Sequence, residues 1–307
     1  MKIISGQAVA ELELFYPPPL DWQRMLRFFG GRSTAGVESV VDGVYHRTLR
    51  WQGSEGLLSV RQDPARHCLI ATLHGEVSRQ ADAVSGKLAS LFDLATEPAL
   101  IQQCFASDPW LGQLIAQAPG LRVPGAWSGF ELVVRTIVGQ QVSVKAATTI
   151  VGRLVQRAGT PAQGPLLADA PWLFPTPEAL AGANLDRIGM PGKRVAALQG
   201  FAQAVADGVV DIDAATPDLP TLRRQLLALP GIGPWTVEYT AMRAWRDADA
   251  WPGTDLVLMQ AIARRQPELL KHAQQLKHSE AWRPWRAYAA MHLWNEIADA
   301  AGAARGG

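Results

Sequence analysis

Residues 226–240, Leu-Leu-Ala-Leu-Pro-Gly-Ile-Gly-Pro-Trp-Thr-Val-Glu-Tyr-Thr, restrict the chain to one local geometry. Leu222, Leu226, Leu227 and Leu229 give the segment 219–228 an apolar stripe at helical spacing, which must pack inward. Pro234 suits the first turn of a following helix, where its missing N–H costs nothing. Between them, Leu229-Pro230-Gly231-Ile232-Gly233 has two glycines that can turn the backbone through positive φ. The chain must therefore double back as two helices joined by a tight hairpin. The open amides of Gly231, Ile232 and Gly233, at the positive end of the second helix, form a site for a phosphate.

An acid follows the hairpin. Asp255, in Trp251-Pro252-Gly253-Thr254-Asp255, precedes the apolar run 256–262 and is first of all an N-cap. That position also has chemical value. Amide donors and the helix dipole favour a fixed anion there, and a fixed anion can stabilise a sugar cation developing at C1′. Trp235, Tyr239 and Met242 recur at i, i+4 and i+7 on the helix after the hairpin, so they share a face. They suit a core, or a wall on which an extruded base stacks. Arg243 and Arg246, later on that helix, read as solvated or paired. Of the eleven Trp residues, six (Trp235, Trp245, Trp251, Trp282, Trp285 and Trp294) crowd into this part of the chain. Most Trp side chains fill cores, but this density also supplies material for an aromatic pocket.

Bulk properties narrow the classes. A chain of 307 residues can hold two or three domains. The net charge of +1 means that any nucleic-acid contact comes from a local patch. Two cysteines, Cys68 and Cys104, cannot supply a four-cysteine iron–sulfur site or a zinc ribbon, and both are expected to be reduced and structural. No uncharged apolar run reaches membrane-spanning length, so a cytoplasmic protein is expected.

Along the chain, 11–16, 43–51, 56–61 and 67–74 are strand-like runs separated by turn clusters such as Gln52-Gly53-Ser54. Asp21 caps a helix carrying Trp22, Met25, Leu26, Phe28 and Phe29, and a second helix is expected over 79–94. From about residue 97 only helical patterns remain: 97–106, 108–117, 128–138, 143–158, 177–182, 193–207, 219–228, 234–246, 255–265, 267–275 and 282–300. The Pro-rich span 159–176 reads as a connector. The organisation expected is an α+β domain over 1–98 and an all-helical body over 99–303, with the hairpin at 226–240 and an acid-bearing loop at 251–256. A disordered tail is expected at 304–307.

Several motifs in this order resemble the helix–hairpin–helix (HhH-GPD) DNA glycosylases, and within them the AlkA-type 3-methyladenine enzymes. They are the hairpin, the Trp235-Thr236-x-x-Tyr239 helix, Asp255, Tyr16-Pro17-Pro18 with Asp21-Trp22, Arg66-His67 and Leu91-Phe92-Asp93-Leu94. Pro119 to Gly125, Val138-Gly139-Gln140-Gln141-Val142-Ser143-Val144, Trp282-Arg283-Pro284-Trp285-Arg286 and His292-Leu293-Trp294 continue the likeness over almost the whole chain. The resemblance implies a TATA-binding-protein-like antiparallel sheet followed by a two-lobed helical body with the active cleft between the lobes. It implies Asp255 as the catalytic acid and a base pocket lined by Trp235, Tyr239, Trp294 and Phe28. DNA contacts would come from Gln141, Leu229, Gly231, Ile232 and Gly233. The partner implied is double-stranded DNA with alkylated purines such as 3-methyladenine and 7-methylguanine, many of them cationic and suited to an aromatic cage. No cofactor is expected beyond a structural Na or K ion at the hairpin, and a monomer in the cytoplasm, associated with the nucleoid, is expected. Bifunctional relatives carry a Lys where this chain has Trp235, which favours a monofunctional enzyme. Two departures stand out. Gln141 replaces an apolar wedge, and Leu256 replaces an aromatic residue beside the acid, where it would bear on the range of bases accepted.

Two other readings fit part of the pattern. A catalytically silent DNA-binding protein would use the hairpin alone, and it releases no free base from methylated DNA. A glycosylase/lyase for oxidised bases would give a borohydride-trapped covalent complex. Lys145, Lys193, Arg194, Arg283 and Arg286 either meet phosphates or solvate helix faces.

Overall fold

The computed structural model describes residues 2–4, 7–162 and 171–306. Its first third is a six-stranded sheet of β1 (Lys2–Ile4), β2 (Gln7–Phe15), β3 (Glu38–Val41), β4 (Val44–Trp51), β5 (Ser54–Asp63) and β6 (Cys68–Gly75). The strands lie in the order β1-β2-β6-β5-β4-β3, and every neighbouring pair is antiparallel. The four strand-like runs of the sequence fall in β2, β4, β5 and β6. The short edge strands β1 and β3 are additional, too brief to show an alternating pattern. Asp42-Gly43 (φ 48° and 79°) and Gln52-Gly53 (φ 46° and 80°) close the β3–β4 and β4–β5 hairpins. Positive φ at both central residues gives a turn whose twist matches that of the strands.

One face of the sheet is covered by α1 (Trp22–Gly30) and α2 (Ala81–Leu91). Asp21 caps α1 as its sequence position suggests, Oδ1 accepting from Arg24 N at 2.9 Å. Trp22, Met25, Leu26 and Phe29 then meet Tyr45, Leu49, Leu58, Leu69, Leu73, Leu88 and Phe92 in a single apolar core.

The remainder is helical: α3 (Pro98–Cys104), α4 (Leu111–Gln117), α5 (Gly129–Gly139), α6 (Val144–Ala158), α7 (Pro177–Ala181), α8 (Gly192–Ala206), α9 (Leu219–Leu227), α10 (Pro234–Arg243), α11 (Leu256–Arg265), α12 (His272–Ser279) and α13 (Arg286–Gly306). Several boundaries differ from the sequence pattern, most of all in the last two helices. The helix expected over 267–275 begins at His272, where the Gln274 side chain accepts from Lys271 N at 3.0 Å and closes its first turn. The last helix begins at Arg286, because Pro284 lacks the N–H needed to continue from the short turn at Glu280–Trp282. It runs to Gly306, through most of the stretch where the sequence suggests a disordered tail; Gly307 lies outside the described residues. The 159–176 connector holds a two-residue ladder, β7 (Thr160–Pro161) with β8 (Trp172–Leu173), and its residues 163–170 lie outside the described residues. Of the two cysteines, Cys68 is buried as expected of a structural residue, whereas Cys104 is exposed; both are free. No described helix is long and apolar enough to cross a membrane.

The two parts are joined by polar contacts around buried charge. Arg47, 2% exposed on β4, donates to Glu131 of α5 at 2.9 and 3.0 Å and faces Glu38 at 3.5 Å. Arg24 of α1 pairs with Asp299 of α13 at 2.7 Å. Phe28 packs against both cores. This seam fixes α1 beside the cleft.

Candidate active site

Asp255 sits at the N-terminus of α11, where its Oδ1 accepts from Leu258 N at 3.0 Å. The same oxygen accepts from Trp294 Nε1 at 3.2 Å, and Oδ2 accepts from Trp235 Nε1 at 2.9 Å. A carboxylate anion, which is acceptor-only, satisfies all three donors. The acid is half-buried, so it is neither sealed in the interior nor loose in solvent. Its loop is fixed from behind. Trp251 is buried against Trp282 with ring centroids 5.3 Å apart, and Trp251 N donates to Glu238 Oε2 at 3.1 Å. Gly253 crosses so close to the Trp251 indole that a Cβ there would stand 2.4 Å from Nε1.

The rings expected at the base pocket come from α1, α10 and α13, and those of α10 and α13 meet at this acid. Trp235 and Tyr239 stack at 5.2 Å with an interplanar angle of 13°, and Trp294 meets Tyr239 edge-on at 6.0 Å. Each indole thus forms part of a wall and clamps one carboxylate oxygen. Phe28 reaches the group through Arg243, whose guanidinium carbon lies 4.6 Å from the Phe28 ring and 5.3 Å from that of Tyr239. Leu256 is 66% exposed and stands beside the acid rather than packing into the cage. The other four crowded Trp residues have different tasks: Trp245, Trp251 and Trp282 are buried core, and Trp285 packs half-buried against it.

Arg243 is the site residue that the sequence reading missed. It is buried, not solvated, with Nε donating to Pro124 O at 2.8 Å and Nη2 to Gly125 O at 2.7 Å. The signal was its place at i+8 from Trp235 and i+4 from Tyr239, on the same stripe of α10. Arg246 behaves as expected, pairing with Asp93 at 2.5 Å.

The hairpin has the expected turn. Gly231 adopts φ 82°, and a Cβ there would stand 2.6 Å from the Ala197 Cβ, so both the conformation and the space require glycine. Leu229 N and Ile232 N are used within the turn, donating to Leu226 O at 3.1 Å and Leu229 O at 3.2 Å. Ile232 is buried and Leu229 half-buried, so these two support the turn by packing. Among the described residues, the Gly231 and Gly233 amides have no intramolecular acceptor and remain open to a phosphate. Gln140 Nε2 donates to Gly231 O at 2.9 Å, which ties the α5–α6 turn to the hairpin. Gln141, next in sequence, is exposed at that turn with φ 57°. Lys145 and Lys193 are exposed, while Arg283 and Arg286 are engaged with Asp249 and Glu280.

Residues 11–128 match the AlkA N-terminal domain, and residues 134–286 match the HhH-GPD superfamily base excision DNA repair protein. The chain is 36% identical over 286 residues to DNA-3-methyladenine glycosylase 2 of Escherichia coli (strain K12), covering 92% of this chain and 95% of that protein. Its fold is that of a 3-methyladenine DNA-glycosylase from Archaeoglobus fulgidus, with a TM-score of 0.77 at 19% identity over 92% of this chain and 96% of that one. A Schizosaccharomyces pombe 3-methyladenine DNA glycosylase in complex with abasic DNA aligns with a TM-score of 0.52 at 23% identity, over 63% of this chain and 94% of that one.

Proposed function

This chain belongs to the HhH-GPD superfamily of base excision DNA repair proteins, and from that premise we propose that it is a monofunctional DNA glycosylase for alkylated purines. Double-stranded DNA is its partner. The observation that carries the chemistry is the half-buried Asp255 carboxylate, clamped by two indole N–H groups where an aromatic cage adjoins the open hairpin amides. In this reading Gly231 and Gly233 hold a phosphate, Gln141 fills the gap left by the flipped nucleotide, and the base enters the cage of Trp235, Tyr239, Trp294 and Phe28. Alkylated purines such as 3-methyladenine and 7-methylguanine carry positive charge, which attracts them to electron-rich rings and makes them good leaving groups. As the glycosidic bond opens, the fixed carboxylate stabilises the cation growing at C1′, and water completes the hydrolysis.

Trp235 stands where the resemblance puts the Lys of a lyase, so an abasic site is the product. The chemistry needs no resident cofactor. A monovalent cation at the hairpin would serve only the phosphate grip, and carbonyls such as Leu229 O, with one lone pair taken by Ile232 N, suit it. The enzyme acts as a monomer on bent DNA. Incubating the protein with methylated duplex and separating the released bases tests the reading. Free 3-methyladenine and 7-methylguanine are expected, with no covalent complex on borohydride treatment. Binding without base release would instead mark a silent DNA-binding protein.

A further inference from the structure

The seam between the sheet and the helical body holds a cavity of about 40 Å³. It shares Phe28 and Arg243 with the active site but is not lined by Trp235, Tyr239, Trp294 or Asp255. Its charged lining sets four guanidinium groups, Arg32, Arg47, Arg135 and Arg243, against two carboxylates, Glu38 and Glu131. Arg47 engages both acids, at 3.5 Å to Glu38 and 2.9 Å to Glu131. Among the described residues the other three arginines form no ion pair. Arg135 donates to Thr34 Oγ1 at 2.6 Å. Arg243 donates to the Pro124 and Gly125 carbonyls and the Tyr239 hydroxyl, all of them uncharged.

These charges also press on one another. The Arg32 and Arg243 guanidinium carbons lie 4.1 and 4.6 Å from the centroid of the same Phe28 ring. Burial, with Arg32 and Arg135 behind it, outweighs Tyr239 and draws the Arg243 pKa below the usual arginine range. An arginine does not shed its proton in a protein, so the charge stays. Four cations against two anions leave an excess of two positive charges. Buried charge is costly unless an opposite charge meets it.

Size narrows what can supply that charge. One water needs about 10–15 Å³ of such space, so the cavity has room for about three water-sized atoms. That excludes a nucleotide and suits a bare ion. Guanidinium N–H groups only donate, and Arg135 and Arg243 each keep some that no described residue accepts.

We propose that this seam cavity is a binding site for a small inorganic anion, chloride or another halide of similar size. The anion lies among Arg32, just after α1, Arg135 of α5 and Arg243 of α10. It thereby ties the sheet domain to the helical body. It also relieves the repulsion around Phe28 and steadies that ring at the edge of the cage.

The test needs no substrate, so its outcome is separate from that of the glycosylase reading. Thermal unfolding of the wild-type protein is followed in sodium chloride and in sodium gluconate at equal ionic strength, gluconate being too large to enter. Chloride should raise the midpoint over gluconate by about 2 °C or more, with a saturable concentration dependence. Arg32→Gln and Arg135→Gln should each abolish most of that difference. Arg32 is the less buried of the two, so its variant carries the comparison if Arg135→Gln fails to fold. Wild-type crystals grown with bromide should show an anomalous peak among the three arginines. Equal wild-type midpoints in the two salts, or a chloride gain that persists in a folded variant, overturn the proposal. So does a bromide peak elsewhere or none. A peak in the cavity without the solution effect means binding at crystal concentration only, and overturns it too.

Discussion

Asp255→Asn should reduce release of 3-methyladenine from methylated duplex by about 10²–10³-fold or more, the scale of losing one preorganised charge at a developing ion. Folding should change little, because Asn caps a helix about as well as Asp. The defect is electrostatic and geometric together. The amide has no net charge, and its NH₂ would face one of the two indole N–H donors that now bind Oδ1 and Oδ2. Binding to abasic-site duplex uses the hairpin and should stay within about threefold, or roughly 0.7 kcal/mol. Base-release kinetics and a binding titration on the same preparation separate the two effects. Near wild-type release by the Asn variant would remove Asp255 from the mechanism.

Trp235 should show the next largest effect, in two stages. Trp235→Phe keeps a ring to stack on Tyr239 but removes the N–H that binds Oδ2 at 2.9 Å. A hydrogen bond to a charged group contributes about 1.5–3 kcal/mol, so the chemical step should slow by about 10–100-fold. Trp235→Ala also removes the wall, and base–aromatic stacking adds about 1–3 kcal/mol. Its loss in kcat/KM should therefore reach about 10²–10⁴-fold. Single-turnover rates across a range of enzyme concentrations divide the loss between base binding and chemistry. Equal behaviour of the Phe and Ala variants would mean that the ring has no part in holding the base.

What could be read from the sequence was local. Trp235, Tyr239 and the hairpin lie within one helix pair, and Asp255 announces itself as a cap before an apolar run. Periodicity and turn chemistry therefore reach them directly. Phe28 and Trp294 lie far from that segment along the chain, so only family resemblance ties them to the site; the seam from Arg47 to Glu131 and from Arg24 to Asp299 then brings their helices together. Arg243 shows its place on the Trp235–Tyr239 stripe, but not its role, because its partners, the carbonyls of Pro124 and Gly125, are more than a hundred residues away and carry no side-chain signature. The crowding of Trp residues was ambiguous for a related reason. Composition cannot say which indole N–H meets the Asp255 carboxylate and which ring, as in Trp245, fills a core.

The central claim is that the Asp255 carboxylate faces the deoxyribose at the moment it turns positive. Affinity for two abasic duplexes tests this most directly, one with a neutral tetrahydrofuran ring and one with a cationic pyrrolidine ring that places charge near C1′. The wild-type protein should prefer the cationic ring by at least about tenfold, equivalent to roughly 1.4 kcal/mol, and Asp255→Asn should abolish the preference. Equal affinity of the wild-type protein for the two rings, or a preference that survives in the Asn variant, would contradict the account.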